Sequence, residues 1–382
     1  MTSLPELRHH EFPLIREVTY LDTATQGPLA RRTHDALALA VAQAQLPGTS
    51  RSLSGQATEA LARMRMAQLL DVAEDALVFT PNTTHGMNLC AHGITWRPGD
   101  NVVLPAREFP ALLRAWLGVR AAGVDVRLAP WSGAGPTVAD VMAVADGRTR
   151  VIACSAVAWD TGWSMDLAEL GHRCRAAGIL LVVDGIQAVG AVPLAPQALG
   201  LAALSFHGYK WLMAGFGCGV LYLAPAALEQ IQPRFVGEQS YRDGADPWDP
   251  VPAWRDGASR FAVGSANILG MTALASALTL VTELGLAQIA RHHAALTQEL
   301  VDGLRALAPA VRLVVPDVPE RRAAIVVFTT DDAARDAALV AQLAARQIVV
   351  ACRPRGIRVA PHLFNDAADI GALLRALAQL TR

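Results

Sequence analysis

The chain has 382 residues, with 33 Lys plus Arg against 34 Asp plus Glu and a formal net charge of −1. That balance supplies no overall attraction for nucleic acid or for an anionic membrane. Hydrophobic residues at 52% and charged residues at 18% exclude an intrinsically disordered chain, and the length suits about two domains. A membrane span needs about 20 consecutive apolar residues. The best runs, 178–192 and 271–287, are broken by Asp184, Gln187 and Glu283. The N-terminus, MTSLPELRHHEF, carries charge and lacks an apolar core, so no signal peptide is expected. Cys90, Cys154, Cys174, Cys218 and Cys352 follow no framework, which suggests reduced, buried thiols in a cytoplasmic protein. No second His/Cys pair stands at zinc spacing, so no metal is expected.

Apolar runs of strand length alternate with helical patterns. Residues 77–80, 101–105, 124–129, 150–155, 179–184, 201–206 and 219–223 read as strands. Residues 84–94, 109–121, 137–145 and 166–177 read as the helices between them. This βαβ rhythm predicts a mostly parallel, buried sheet with helices on both faces. Residues 237–259, rich in Pro, Asp and Trp, read as a long loop near a domain boundary. Two long helices follow at 268–285 and 286–307. Short strands at 311–315, 323–329, 347–351 and 357–360 then mix with helices 333–346 and 367–380. The expected division is a large α/β domain over 20–258 and a smaller α+β domain from 1–19 plus 259–382.

Of the 33 basic residues only Lys210 is a lysine. Arg keeps its proton and forms no imine, whereas Lys does once its amine is neutral. Lys210 lies in a turn after a strand, 26 residues beyond Asp184. It is either a lysine snorkelling beside Trp211 or a covalent amine. Asp184 ends the apolar run ILLVVD, where open α/β sheets bind ligands; it either caps the next helix or meets a cation. Thr83 and Thr84 follow strand 77–80 in a turn into a helix, suited to phosphate or to plain capping. An amine, a buried acid and a phosphate cradle are together what pyridoxal 5′-phosphate requires.

These segments resemble the class V aminotransferase family, the branch with cysteine desulfurases and isopenicillin N epimerase-like proteins. TPNTTHGMN at 80–88 is similar to its phosphate turn, which implies Thr84 on the phosphate with Thr83 and His85 beside it. REFPALL at 107–113 resembles the segment whose aromatic, here Phe109, stacks on the cofactor ring. VDGIQAVG at 183–190 resembles the motif that makes Asp184 the partner of the ring nitrogen and Gln187 a donor on the ring-hydroxyl side. HGYKWL at 207–212 resembles the Schiff-base motif, with Lys210 as the imine lysine. YLDTATQGPL at 20–29, with Thr25, resembles the substrate-side segment. RFAVGSAN at 260–267 resembles the stretch that reaches a neighbouring subunit's phosphate through Ser265, and GIRVAPHLFN at 356–365 the one whose Arg358 grips the substrate carboxylate. The resemblance implies the aspartate aminotransferase-like fold type I, pyridoxal phosphate, an amino-acid substrate and a homodimer with shared sites.

Relatives often carry Ser and His where this chain has His207 and Tyr209, either of which could reach the phosphate. Trp159 falls where many have Asn or another polar residue, and is either a wall of the substrate pocket or a packed core residue. Cys352, directly after QIVVA, reads as a thiol at a strand end, which disfavours persulfide relay. The expected activity is that of an aminotransferase or epimerase-like enzyme. A C–S or β-lyase without a persulfide cysteine is the alternative, and a non-catalytic binding protein or a nucleotide-binding protein stands further off.

Overall fold

The computed structural model describes residues 4–44, 53–131, 133–244, 246, 248–316 and 318–381. Seven strands form one sheet in the order Leu77–Thr80, Gly219–Leu223, Ala203–His207, Leu180–Asp184, Thr149–Ser155, Asn101–Pro105, Asp125–Ala129. All pair in parallel except Gly219–Leu223, which runs antiparallel to both neighbours. The sheet is buried on both faces, so its strands read as unbroken apolar runs. Alternation still sorts the side chains: Val102, Leu104, Val151 and Val182 enter one core, while Val103, Ile152, Leu181 and Val183 enter the other.

Helices Thr83–Gly93, Pro110–Leu117, Val138–Met142 and Leu167–Ala177 make the crossovers. Their starts are written in the sequence. Asn82, Thr137 and Asp166 each accept a backbone N–H from the first turn, which satisfies donors that the helix leaves unpaired. The helix expected over 109–121 changes at Gly118 into a 3-10 turn that ends on left-handed Gly123. Two helices that the periodicity did not reveal, Arg31–Gln43 and Leu53–Leu70, pack on Ile268–Leu284.

The second sheet is antiparallel, ordered Ala351–Arg353, Gly356–Val359, Val326–Thr329, Arg312–Leu313. Helices Leu286–Ala306, Ala333–Ala344 and Ala367–Leu380 pack around it. Residues 19–22 join the two parts. Thr19–Tyr20 pairs in parallel with Ile348–Val349, and Asp22 bridges to Ala360. Helix Ile268–Leu284 lies beyond the expected boundary at 258, yet Met271, Leu274 and Leu278 share a core with Leu204 and Phe206 of the large sheet. No single described helix is long and apolar enough to cross a membrane.

Candidate active site

The site forms at the carboxyl ends of the central strands. Asp184 is the last residue of Leu180–Asp184 and is only 2% exposed. Its Oδ1 accepts the Ile186 N–H at 2.9 Å. Burial pushes its carboxyl upward, while that N–H and the Lys210 cation oppose the rise. A carboxylate in such a place needs a positive partner.

Lys210 sits in the turn that follows Ala203–His207. The turn is fixed from both ends: Met213 N–H donates to Lys210 O, and Ala214 N–H to Gly208 O. The His207 ring nitrogens lie 3.1 Å from Tyr209 N and 3.0 Å from Gly217 N, so this ring is engaged by backbone and shapes the turn. Burial keeps His207 neutral, pushed down to about 4. Gly27 packs on the turn so closely that a Cβ there would lie 2.2 Å from Lys210 O. Lys210 is 7% exposed, and its Nζ is 5.6 Å from the Tyr209 ring centre and 6.0 Å from that of Phe109. Burial and the Arg358 cation lower its proton affinity, and Asp184 raises it. The net direction is down, which favours the free amine that nucleophilic chemistry needs.

Strand Leu77–Thr80 delivers the start of helix Thr83–Gly93 to the same end of the sheet. Asn82 caps it through a 2.9 Å bond from His85 N–H. The Thr83 hydroxyl is buried and has no hydrogen-bond partner, whereas its carbonyl accepts from Ser205 Oγ at 3.0 Å. Gly86 lets the helix approach the sheet, since a Cβ there would meet Ser205 Oγ at 2.2 Å. Thr84 and His85 are half-buried on the first turn. An unpaired hydroxyl beside a helix N-terminus suits a phosphate.

Gln187 is buried and occupied by the protein. Its Nε2 donates to Ala24 O at 3.0 Å, and its Oε1 accepts from Trp211 Nε1 at 2.9 Å. One amide hydrogen remains for another acceptor. Phe109 caps helix Pro110–Leu117 and meets Trp159 edge to face at 5.4 Å. Arg358 is 2% exposed. It donates to Trp159 O at 3.1 Å, to Asp22 Oδ1 at 3.2 Å and to Thr25 Oγ1 at 2.6 Å, while its Nε is unpartnered. Thr25 also accepts from Arg353 and donates to Asp22. Thus Phe109, Trp159, Thr25, Arg358 and Lys210 form one connected group. Ser265 stands outside it and is exposed, two residues before Asn267, whose amide donates to Gly217 O.

Three acids escaped the sequence reading. Asp22 sits inside the quoted YLDTATQGPL and holds Arg358. Glu108 accepts both the N–H and the hydroxyl of Ser155, the residue paired with Asp184 across the sheet. Burial pushes Glu108 up to about 7, against its bonds from Ser155. Asp160 follows Trp159 in the loop closed by the Val157–Ser164 bridge. The signal for Glu108 and Asp160 was adjacency to the aromatics singled out from the sequence. Among the described residues no His, Cys, Asp and Glu group could hold a metal ion.

The family profile described as Aminotransferase class-V matches residues 19–376. A cysteine desulfurase of Klebsiella pneumoniae is 31% identical over 355 residues, covering 86% of this chain and 83% of that protein. A probable cysteine desulfurase of Methanothermobacter thermautotrophicus is 28% identical, covering 76% of this chain and 73% of its own length. Among solved structures, the complex of the cystine C–S lyase C-DES with cysteine persulfide superposes with a TM-score of 0.88 at 26% identity. It covers 96% of this chain and 99% of that one.

Proposed function

Because this chain belongs to the class V aminotransferases and uses pyridoxal phosphate, we propose that it is a C–S or related β-lyase that eliminates a group from Cβ of an amino acid without a protein persulfide. The cofactor fits the residues present. The unpartnered Thr83 hydroxyl and the helix start would take its phosphate, Asp184 its ring nitrogen, the spare Gln187 hydrogen its ring oxygen, and Lys210 its aldehyde. When bound, the cofactor supplies the electron sink for the pair left at Cα.

The chain's own residues would do the rest. Arg358, fixed by Asp22 and Thr25, orients the substrate through its carboxylate. Lys210, with its proton affinity lowered by burial, takes the proton from Cα. Phe109 and Trp159, in edge-to-face contact, would line the site.

One observation carries the choice of a lyase without persulfide relay. Cys352 lies in strand Ala351–Arg353, whose antiparallel partner Gly356–Val359 starts after only Pro354 and Arg355. A tight hairpin holds this thiol and gives it no mobile arm. The likeness to a cystine C–S lyase supports the same reaction class. Incubation with sulfur amino acids should release sulfide and ammonia, and Cys352→Ala should retain that release. Accumulation of the cofactor's amine form with a 2-oxo acid would make the enzyme an aminotransferase instead.

We also propose a homodimer with shared sites. Ser265 and the apolar Phe216, Phe235 and Leu269 are exposed on the single chain, and large exposed apolar residues mark interfaces when they gather. Sedimentation showing a fully active monomer would reject this.

A further inference from the structure

Two buried histidines that the chemistry above does not use stand where three segments of the site meet. His362 lies four residues beyond Arg358, and His293 lies on helix Leu286–Ala306. His362 Nε2 is 2.9 Å from Trp211 O, the carbonyl of the residue after Lys210. On the other side of the ring, Leu363 N–H donates to His362 Nδ1 at 2.8 Å. That donor needs a lone pair at Nδ1, and burial drives the ring toward its neutral form. The single ring proton is therefore assigned to Nε2, which donates it to Trp211 O. His293 backs this ring. Its Nε2 is 2.9 Å from His362 Nδ1, and its Nδ1 is 3.1 Å from Ala191 O, in the turn that follows Gln187.

The turn is thereby gripped at both neighbours of Lys210. Tyr209 O accepts from Gly27 N–H at 2.8 Å, and Trp211 O accepts from His362. The Trp211 indole also donates to Gln187 at 2.9 Å. His362 is in turn fixed on the Arg358 side: its backbone N–H donates to Asn365 Oδ1 at 2.9 Å, and Ala360 N–H donates to Leu21 O at 2.7 Å. An apolar side chain would fill this space without the cost of burying an imidazole, so what His362 adds is a directional bond. We propose that His362, backed by His293, is a positioning residue that holds Arg358 in register with the Lys210 turn, so that the amino and carboxylate groups of a substrate are met together. This rests on the reading that Arg358 takes the substrate carboxylate.

The test uses L-norleucine and pentylamine, which carry no leaving group at Cβ and differ only in the α-carboxylate. Each is titrated into the holoprotein, and binding is read from the cofactor absorbance. The native protein should prefer norleucine roughly 30-fold or more. His362→Gln carries an amide N–H to the place of Nε2 and should keep that preference. His362→Asn, whose amide stops near the place of Nδ1, and His362→Leu should each cut it about 10-fold, the scale of one lost hydrogen bond. Pentylamine affinity should stay unchanged in all three. Asn and Gln differ only in reach, so their comparison decides the matter even where the Leu variant does not fold. A full preference in the Asn variant would overturn the proposal. So would an equal loss for both ligands in the Asn and Gln variants alike, which would leave His362 a packing residue. Equal binding of the two ligands by the native protein would remove the Arg358 reading itself, and this inference with it.

Discussion

Replacing Arg358 by Gln separates two roles of one guanidinium. In the native fold Arg358 and Asp22 are 2% and 8% exposed and lie 3.2 Å apart. The substitution strands the Asp22 carboxylate, with Thr25 Oγ1 as its remaining hydrogen-bond donor. Breaking a buried pair from one side costs about 3–5 kcal/mol. An unfolding entropy of about 2.1 cal/mol/K per residue gives this chain roughly 0.8 kcal/mol/K, so the melting temperature should fall by about 4–6 °C. Adding Asp22→Asn removes the stranded charge and should restore most of that loss. Amino-acid binding should not recover. Loss of charge-assisted bonds worth about 2–3 kcal/mol weakens affinity roughly 30- to 150-fold. Thermal melts of the holoprotein measure the first effect, and titration of the cofactor absorbance with an amino acid measures the second. Native affinity in the double variant, or loss of cofactor colour in the single one, would refute the assignment.

Lys210→Ala should fold but lose the visible absorbance of the lysine-bound cofactor; a variant with unchanged colour would show that the tether is elsewhere. Gln187→Leu leaves Ala24 O and Trp211 Nε1 unpaired, at about 1–3 kcal/mol each, whereas Gln187→Glu keeps an acceptor for Trp211. Melting should fall in both variants, since Glu also sets a buried carboxylate against Ala24 O, and an unchanged melting temperature in the Leu variant would contradict the two-bond account. Glu108 has a folded-state pKa raised from 4.5 to about 7, so between those values the native state holds more protons than the unfolded chain. Stability from this group should decline as pH rises through that window. Denaturant unfolding of Glu108→Gln should show a flatter profile there, and an unchanged slope would remove Glu108 as its source.

The parts legible in sequence were those where composition itself is constrained. Strands buried on both faces must be apolar throughout, so the runs ending at Asp184 and Phe206 stood out. Lys210 was conspicuous because no other lysine exists. The structure buries Lys210 within electrostatic reach of Asp184 and leaves the Thr83 hydroxyl unpartnered. Leu53–Leu70 was missed because its small and apolar residues surround the helix instead of forming one stripe. Asp22, Glu108 and Asp160 were missed for another reason. An acid's local sequence does not reveal which distant cation or hydroxyl it faces, and the partners here are 336 residues away for Asp22 and 47 for Glu108. For Gln187 the motif indicated a polar donor, but only the fold reveals that it already bonds to Ala24 and Trp211.

The stitching of residues 19–25 to the far end of the chain has a temporal side. Tyr20 O accepts from Asn365, Thr23 N–H donates to Ala360, and Thr25 accepts from Arg358. A ribosome adding about 5–20 residues per second finishes that second set of partners roughly 20–70 s after the first emerges. The sheet that bears Asp184 and Lys210 is complete at residue 223. A nascent chain thus finishes the strands of that sheet well before residues 20–25 meet the partners that fix Arg358.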